Sequence, residues 1–153
     1  MKQRIYIDTS VVGGFFDEEF KETTISLFNK LKNEEIKFVI SDLLETELLN
    51  APSHIGRLLL NYPTESFERV ELTTEIMELA DRYIYEKVVG KTSLADCRHI
   101  ALATIYKVDL LVSWNFRHMV NLDRIKGYNS VNLNLGYKAI EIRTPKDFII
   151  HGK

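Results

Sequence analysis

Asp8 closes the first apolar run, RIYID, where burial should be deepest. A carboxylate in that position can cap a helix starting near Thr9 or Ser10, hold a metal, or accept a phosphoryl group. Other oxygen-bearing side chains fall in equivalent places. Glu45 and Glu47 lie on a helical run directly after the second strand. Asp96 stands in the first turn of the most apolar helix, and Asn115 follows the strand DLLVS by two residues. Clustered carboxylates repel one another, which raises their pKa values and costs stability unless a cation sits between them. Ligands that are all oxygen suit Mg²⁺ or Mn²⁺.

Each of these residues also has a plainer use. Asp96 comes three residues after Ser93, so SLAD fits a capping box, and the helix dipole favours an acid there. Asp42 with Glu45 makes a second capping pair. Glu45 and Glu47 fall on opposite flanks of the face made by Leu43, Leu44, Leu48 and Leu49. Helical geometry does not choose between them, although Glu47 is the freer if Glu45 caps. What capping leaves unexplained is the coincidence of acids and an amide after three strands and at the mouth of one buried helix.

Other chemistries find less support. There is no GxGxxG, P-loop or GxSxG motif, and the bare pair Gly13-Gly14 is weak ground for phosphate cradling. The four histidines show no HExxH spacing; His99 reads as a packing residue and His151 as a solvated one. The single cysteine, Cys97, excludes an internal disulfide and a cysteine-rich zinc site, and its apolar neighbours mark it as a small core residue. A net charge of −2 and a pI near 6.1 argue against electrostatic coating of nucleic acid. No secretory signal opens the chain and no apolar run approaches the ~20 residues of a membrane span, so the expected location is cytoplasmic.

The elements that must position these groups are legible in outline. RIYID, KFVIS, DLLVSW and KAIEIRTP read as strands. EEFKETTISLFNKLKNE, DLLETELLN, TTEIMELADRYIYEKVV and SLADCRHIALATIYK read as helices, with SHIGRLLLNY a further short one. In the second long helix Ile76, Leu79, Ala80, Tyr83, Ile84 and Val88 share one face. The asparagine-rich stretch NFRHMVNLDRIKGYNSVNLNLG is expected to be part loop and part helix. Alternation of this kind predicts βαβ units in one α/β domain over residues 1–153, with ligands outside the carboxyl ends of parallel strands.

Four segments together, YIDTSVVGGFF, ISDLLETELLNAP, SLADCRHIALA and DLLVSWNFRHMVN, resemble the PIN-domain proteins, in particular the VapC-type ribonuclease toxins and their stand-alone relatives. The resemblance spans essentially the whole chain. It implies a three-layer α/β/α sandwich on a central parallel sheet, and it places the family's acidic metal ligands on Asp8, Glu47 and Asp96, choosing Glu47 over Glu45. The fourth acidic position falls on Asn115, where the family more often has aspartate. It further implies a homodimeric, Mg²⁺- or Mn²⁺-dependent endoribonuclease acting on RNA, with an antitoxin protein as partner. The aromatic bulk of TTEIMELADRYIYEKVV also points to a dimer.

Around that set, Thr9, Ser10 and Ser113 are candidates to position water or bond a ligand. Arg98, Arg117, His118, Arg124 and Lys126 are candidates for a basic rim on the RNA backbone. Trp114 or Phe116 can stack on an unpaired base. Two rival readings stand beside this one. Asp8 can be the phosphoryl acceptor of a receiver-like domain, or the chain can be a catalytically weak or inactive PIN-like module that binds RNA or a protein.

Overall fold

Strand and helix alternate along the chain much as the sequence predicts, in a computed structural model that describes residues 2–152. The strands are β1 (Gln3–Ile7), β2 (Ile36–Ser41), β3 (Phe67–Val70), β4 (Leu110–Val112) and β5 (Ile142–Arg143). The helices are α1 (Thr9–Gly14), α2 (Lys21–Lys32), α3 (Asp42–Leu49), α4 (Ser53–Gly56), α5 (Thr74–Tyr85), α6 (Leu94–Ile105), α7 (Leu122–Asn134) and α8 (Pro145–Asp147), with short 3-10 turns between some of them. All five strands are parallel, in the order β3-β2-β1-β4-β5. The chain runs outward from β1 to β3 and then crosses to β4, so the strand order reverses between β1 and β4. A crevice opens at the carboxyl ends of strands at such a point.

Alternate strand residues feed two separate cores. Tyr6, Val39 and Leu111 face α5, α6 and α7 on one side. Ile5, Ile7, Phe38, Ile40, Leu110 and Val112 face α1, α2 and α3 on the other. Helices cover both faces, which makes the three-layer α/β/α sandwich. The most buried helix is α6, with Cys97, His99, Ile100, Ala101, Leu102, Ala103 and Thr104 all inside. Among the described residues no helix is long and apolar enough to cross a membrane.

The capping expectations are partly overturned. Ser41 caps α3, accepting from the backbone N–H of Leu44 at 3.0 Å. Asp42 instead accepts from Leu72 N at 3.0 Å, and Glu45 pairs with Arg69 at 3.2 Å. The Asp42–Glu45 capping pair is therefore not formed. Ser93 makes no side-chain capping bond to α6, so the capping box read into SLAD is absent as well. Strand β3 was not expected. Its sequence, FERV, carries two charges in four residues and sits at the sheet edge, where charge is tolerated. Helix α5 ends earlier than its periodicity implies: Lys87 takes a positive φ of 62°, and Val88 is buried beyond the helix rather than on its face. Of that helix's two tyrosines, Tyr83 is buried and donates to Asn132 Oδ1 at 2.5 Å, while Tyr85 is 76% exposed.

Candidate active site

Asp8 ends β1 and begins α1, and it does two jobs there. Its Oδ1 accepts from Val11 N at 3.3 Å, so it is the N-cap that the sequence allowed. The same oxygen accepts from Ser10 Oγ at 2.6 Å, and Oδ2 accepts from Ser113 Oγ at 2.7 Å. Ser113 follows β4, so this last bond bridges the switch point between β1 and β4. Burial pushes the Asp8 carboxyl above its usual range, against the charge of His99 and the two serine hydroxyls. Asp8 is 4% exposed and both of its oxygens accept hydrogen bonds.

Glu47 comes from the outer end of α3. Its Oε1 accepts from the Thr9 hydroxyl and lies 2.8 Å from Nε2 of buried His99. Burial pushes this carboxyl up, but the bonds from His99 and Thr9 outweigh it and hold Glu47 below the usual range. Glu45 is turned away to Arg69, which separates the two acids that the helix pattern left equal.

Asp96 lies in the first turn of α6. Burial raises its carboxyl and so does the charge of Asp8, although 88 residues of sequence separate the two; His99, His118 and Asn115 pull the other way. Asp8 and Asp96 therefore lie near enough for the charge of one to act on the other. Asn115 was expected to bring an oxygen to the cluster. Its Oδ1 accepts instead from the backbone N–H of His118 at 3.0 Å, closing the turn after β4. The side chain serves Asp96 as a polar neighbour.

The three hydroxyls expected to meet substrate are committed to the carboxylates. Thr9 holds Glu47, while Ser10 and Ser113 hold Asp8. Of the basic candidates, Arg124 is tied to Val88 O at 2.6 Å, whereas Arg117 and Lys126 are exposed. Arg98 and His118 are only partly exposed, and each carries a buried nitrogen without a partner, Nε and Nδ1 respectively. Trp114 packs inward, stacked on Phe20 at 4.2 Å and donating to Thr24 Oγ1 at 2.9 Å; Phe116 beside it is 51% exposed. Gly14 serves this packing rather than a phosphate: a Cβ there would lie 2.7 Å from Trp114 Nε1.

The sequence reading took His99 as a packing residue, and it is buried with both ring nitrogens bonded; what that reading did not give is its link to Glu47. The signal was present in two periodicities. Tyr6 precedes Asp8 by two on a strand, and His99 follows Asp96 by three on a helix, so each shares a face with an acid.

The donors around the crevice fit a hard divalent cation in kind. Three carboxylates, Asp8, Glu47 and Asp96, come from the elements around it, two of them raised by burial, and among the described residues no lysine or arginine forms an ion pair with any of them. In the arrangement described, no three His, Cys, Asp or Glu side chains are drawn tightly enough together to hold a metal ion. Of the three, Asp8 has both carboxylate oxygens bonded to protein donors.

Sandwich layers, strand order and the acidic crevice define a PIN-like fold, the fold of VapC- and FitB-type toxins. Among solved structures, FitAcB of Neisseria gonorrhoeae matches with a TM-score of 0.58 and 11% identity, over 93% of this chain and 98% of that one. DNA-bound VapBC of Salmonella typhimurium matches at 0.56 and 15%, over 95% and 99%. VapC20 of Mycobacterium tuberculosis, described as a sarcin-ricin loop cleaving toxin, matches at 0.57 and 12%, over 72% and 89%. No protein-family model matches the chain, and no curated protein does.

Proposed function

We propose that the protein is an Mg²⁺- or Mn²⁺-dependent endoribonuclease, the toxin of a toxin–antitoxin pair. The observation that carries this is that Asp8 and Asp96 act on each other electrostatically at the switch point and, among the described residues, neither forms an ion pair with a lysine or arginine. Asp8, Glu47 and Asp96 hold the cation, which supplies Lewis-acid activation of water and neutralises charge on the scissile phosphate. Ser10 and Ser113 orient Asp8, Thr9 orients Glu47, and Asn115 steadies Asp96 and the turn after β4. Exposed Arg117 and Lys126, with the partly exposed Arg98 and with His118 beside Asp96, contact the RNA backbone. A homodimer and an antitoxin complete the proposal; the solved VapBC and FitAB complexes support an antitoxin by fold alone.

Incubation of the purified chain with total RNA tests the reaction. Cleavage is expected with Mg²⁺ or Mn²⁺ and none in excess EDTA. Undiminished cleavage in EDTA overturns the metal assignment. A second reading, an inactive PIN-like module, draws on Asn115, whose oxygen is engaged in a turn. Failure of the chain to bind Mn²⁺ in calorimetry selects that reading.

A further inference from the structure

Beneath the acidic crevice a chain of buried polar groups crosses the core. Tyr6 Oη lies 2.8 Å from Ser41 Oγ and 2.6 Å from His99 Nδ1. His99 Nε2 lies 2.8 Å from Glu47 Oε1. The rings of Tyr6 and His99 meet edge to face, with centroids 5.7 Å apart. Tyr6 is fully buried, Ser41 likewise, and His99 is 2% exposed. A purely packing position in that apolar layer would be filled by leucine or isoleucine, with no polar group to satisfy.

Proton bookkeeping along the chain has one constant. Ser41 Oγ already accepts from Leu44 N at 3.0 Å, so its own proton is free to go to Tyr6 Oη. Tyr6 then donates to Nδ1 of a neutral ring, and Nε2–H donates to Glu47. With a charged ring Nδ1–H donates to Tyr6 instead, and Nε2–H still points at Glu47. In either state Nε2 carries a proton. Thr9 adds a second donor to the same oxygen, Oε1. Among the described residues no hydrogen bond reaches Oε2.

We infer that His99 is a positioning residue for Glu47: the buried Ser41–Tyr6–His99 chain locks Oε1 and reserves Oε2 as the ligating oxygen. The inference rests on the metal-site reading proposed above. A free glutamate loses rotamer freedom when it binds a cation. Glu47 is ordered beforehand by donors rooted in β1, β2 and α6. Partners that hold a metal's ligands in this way typically contribute 10–100-fold in metal affinity.

Calorimetric titration of the full chain with Mn²⁺, without RNA, tests the assignment. In His99→Gln the amide nitrogen reaches about as far as imidazole Nε2 and can still donate. His99→Leu keeps bulk but has no donor. The parent and His99→Gln are expected to bind alike, and His99→Leu about 10–100-fold more weakly. Tyr6→Phe, which removes the group that holds the ring, is expected to weaken binding less. Should His99→Leu not fold, Tyr6→Phe and ¹⁵N NMR of the His99 ring in the metal-free parent carry the test, the ring being expected to show a protonated Nε2. Equal affinity in parent, His99→Leu and Tyr6→Phe overturns the inference alone, and so does a bare Nε2. A parent that takes up no Mn²⁺ overturns the metal-site reading and the inference with it.

Discussion

The two ends of the sheet treat their carboxylates in opposite ways. At the amino end, Arg4 grips Glu68 with two bonds of 2.7 Å and donates to Lys107 O at 2.9 Å, while its backbone N–H donates to Asp109 at 2.7 Å. The hydrogen bond from Arg4 holds the Glu68 carboxyl below its usual range. At the carboxyl end, Asp8 is held just as firmly, but by serine hydroxyls and a backbone amide, and burial holds its carboxyl above that range. An arginine neutralises the charge it binds. A hydroxyl fixes the direction of a carboxylate and leaves its charge for something else. One end of the sheet therefore neutralises its carboxylate, and the other, on the proposed function, keeps its carboxylate for a cation.

Isosteric removal of charge should separate the two ends most widely. Asp8→Asn keeps the helix cap and the shape, and takes away the negative charge. Cleavage of RNA is expected to fall by at least about 100-fold, in line with losses from damaged metal sites. The metal-free variant is expected to melt at or above the parent temperature, because a buried charge near Asp96 is gone. Marked destabilisation with near-normal turnover would mean that Asp8 is a cap and nothing more.

A smaller effect is expected from the donors. Ser113→Ala removes the hydroxyl on Asp8 Oδ2 without touching a carboxylate, and Mn²⁺ affinity by calorimetry should drop by about tenfold. Unchanged affinity would show that Ser113 serves the β4 turn alone.

Smaller still is the effect at the amino end. Glu68→Gln should leave cleavage untouched and cost about 1 kcal/mol or less, since the ion pair is roughly one-third exposed. Its pH signature distinguishes it. Glu68 has a depressed folded pKa, so its stabilisation is present at neutral pH and lost as pH falls below about 4. Parent and Glu68→Gln melting curves should converge in acid. Asp8 has a raised folded pKa, so the metal-free parent loses stability as pH rises above about 4, and Asp8→Asn should flatten that loss. Parallel slopes in all three proteins would erase the contrast between the ends.

Much of this was legible in the sequence where periodicity carries the information. The face of α5, the burial of α6 and the strand runs RIYID and KFVIS all follow from spacing within one element. Strand β3 was hidden because FERV shows neither alternation nor an apolar run; its charges make sense only once Arg4 and Glu45 are seen beside them. The cap of α3 was misplaced by one residue because Ser41 and Asp42 are equally good capping types. Asp8 could be singled out, but not the distant Ser113 that holds it, since nothing local links positions 105 residues apart. His99 was read as a packing residue, which its burial supports, but its link to the crevice was not read. Its spacing from Asp96 was in plain view, and its partner Tyr6 lay on another element.

The aromatic packing over α1 has a practical consequence. Trp114 is the protein's only tryptophan, 8% exposed and stacked on Phe20. Its backbone N–H donates to Ser10 Oγ at 2.8 Å, and that hydroxyl in turn binds Asp8 at 2.6 Å. The chain thus carries its single indole on a residue whose backbone is two hydrogen bonds from Asp8. The proposed ion uptake at Asp8 is therefore open to test by intrinsic emission, with no label added and no second indole to blur the signal.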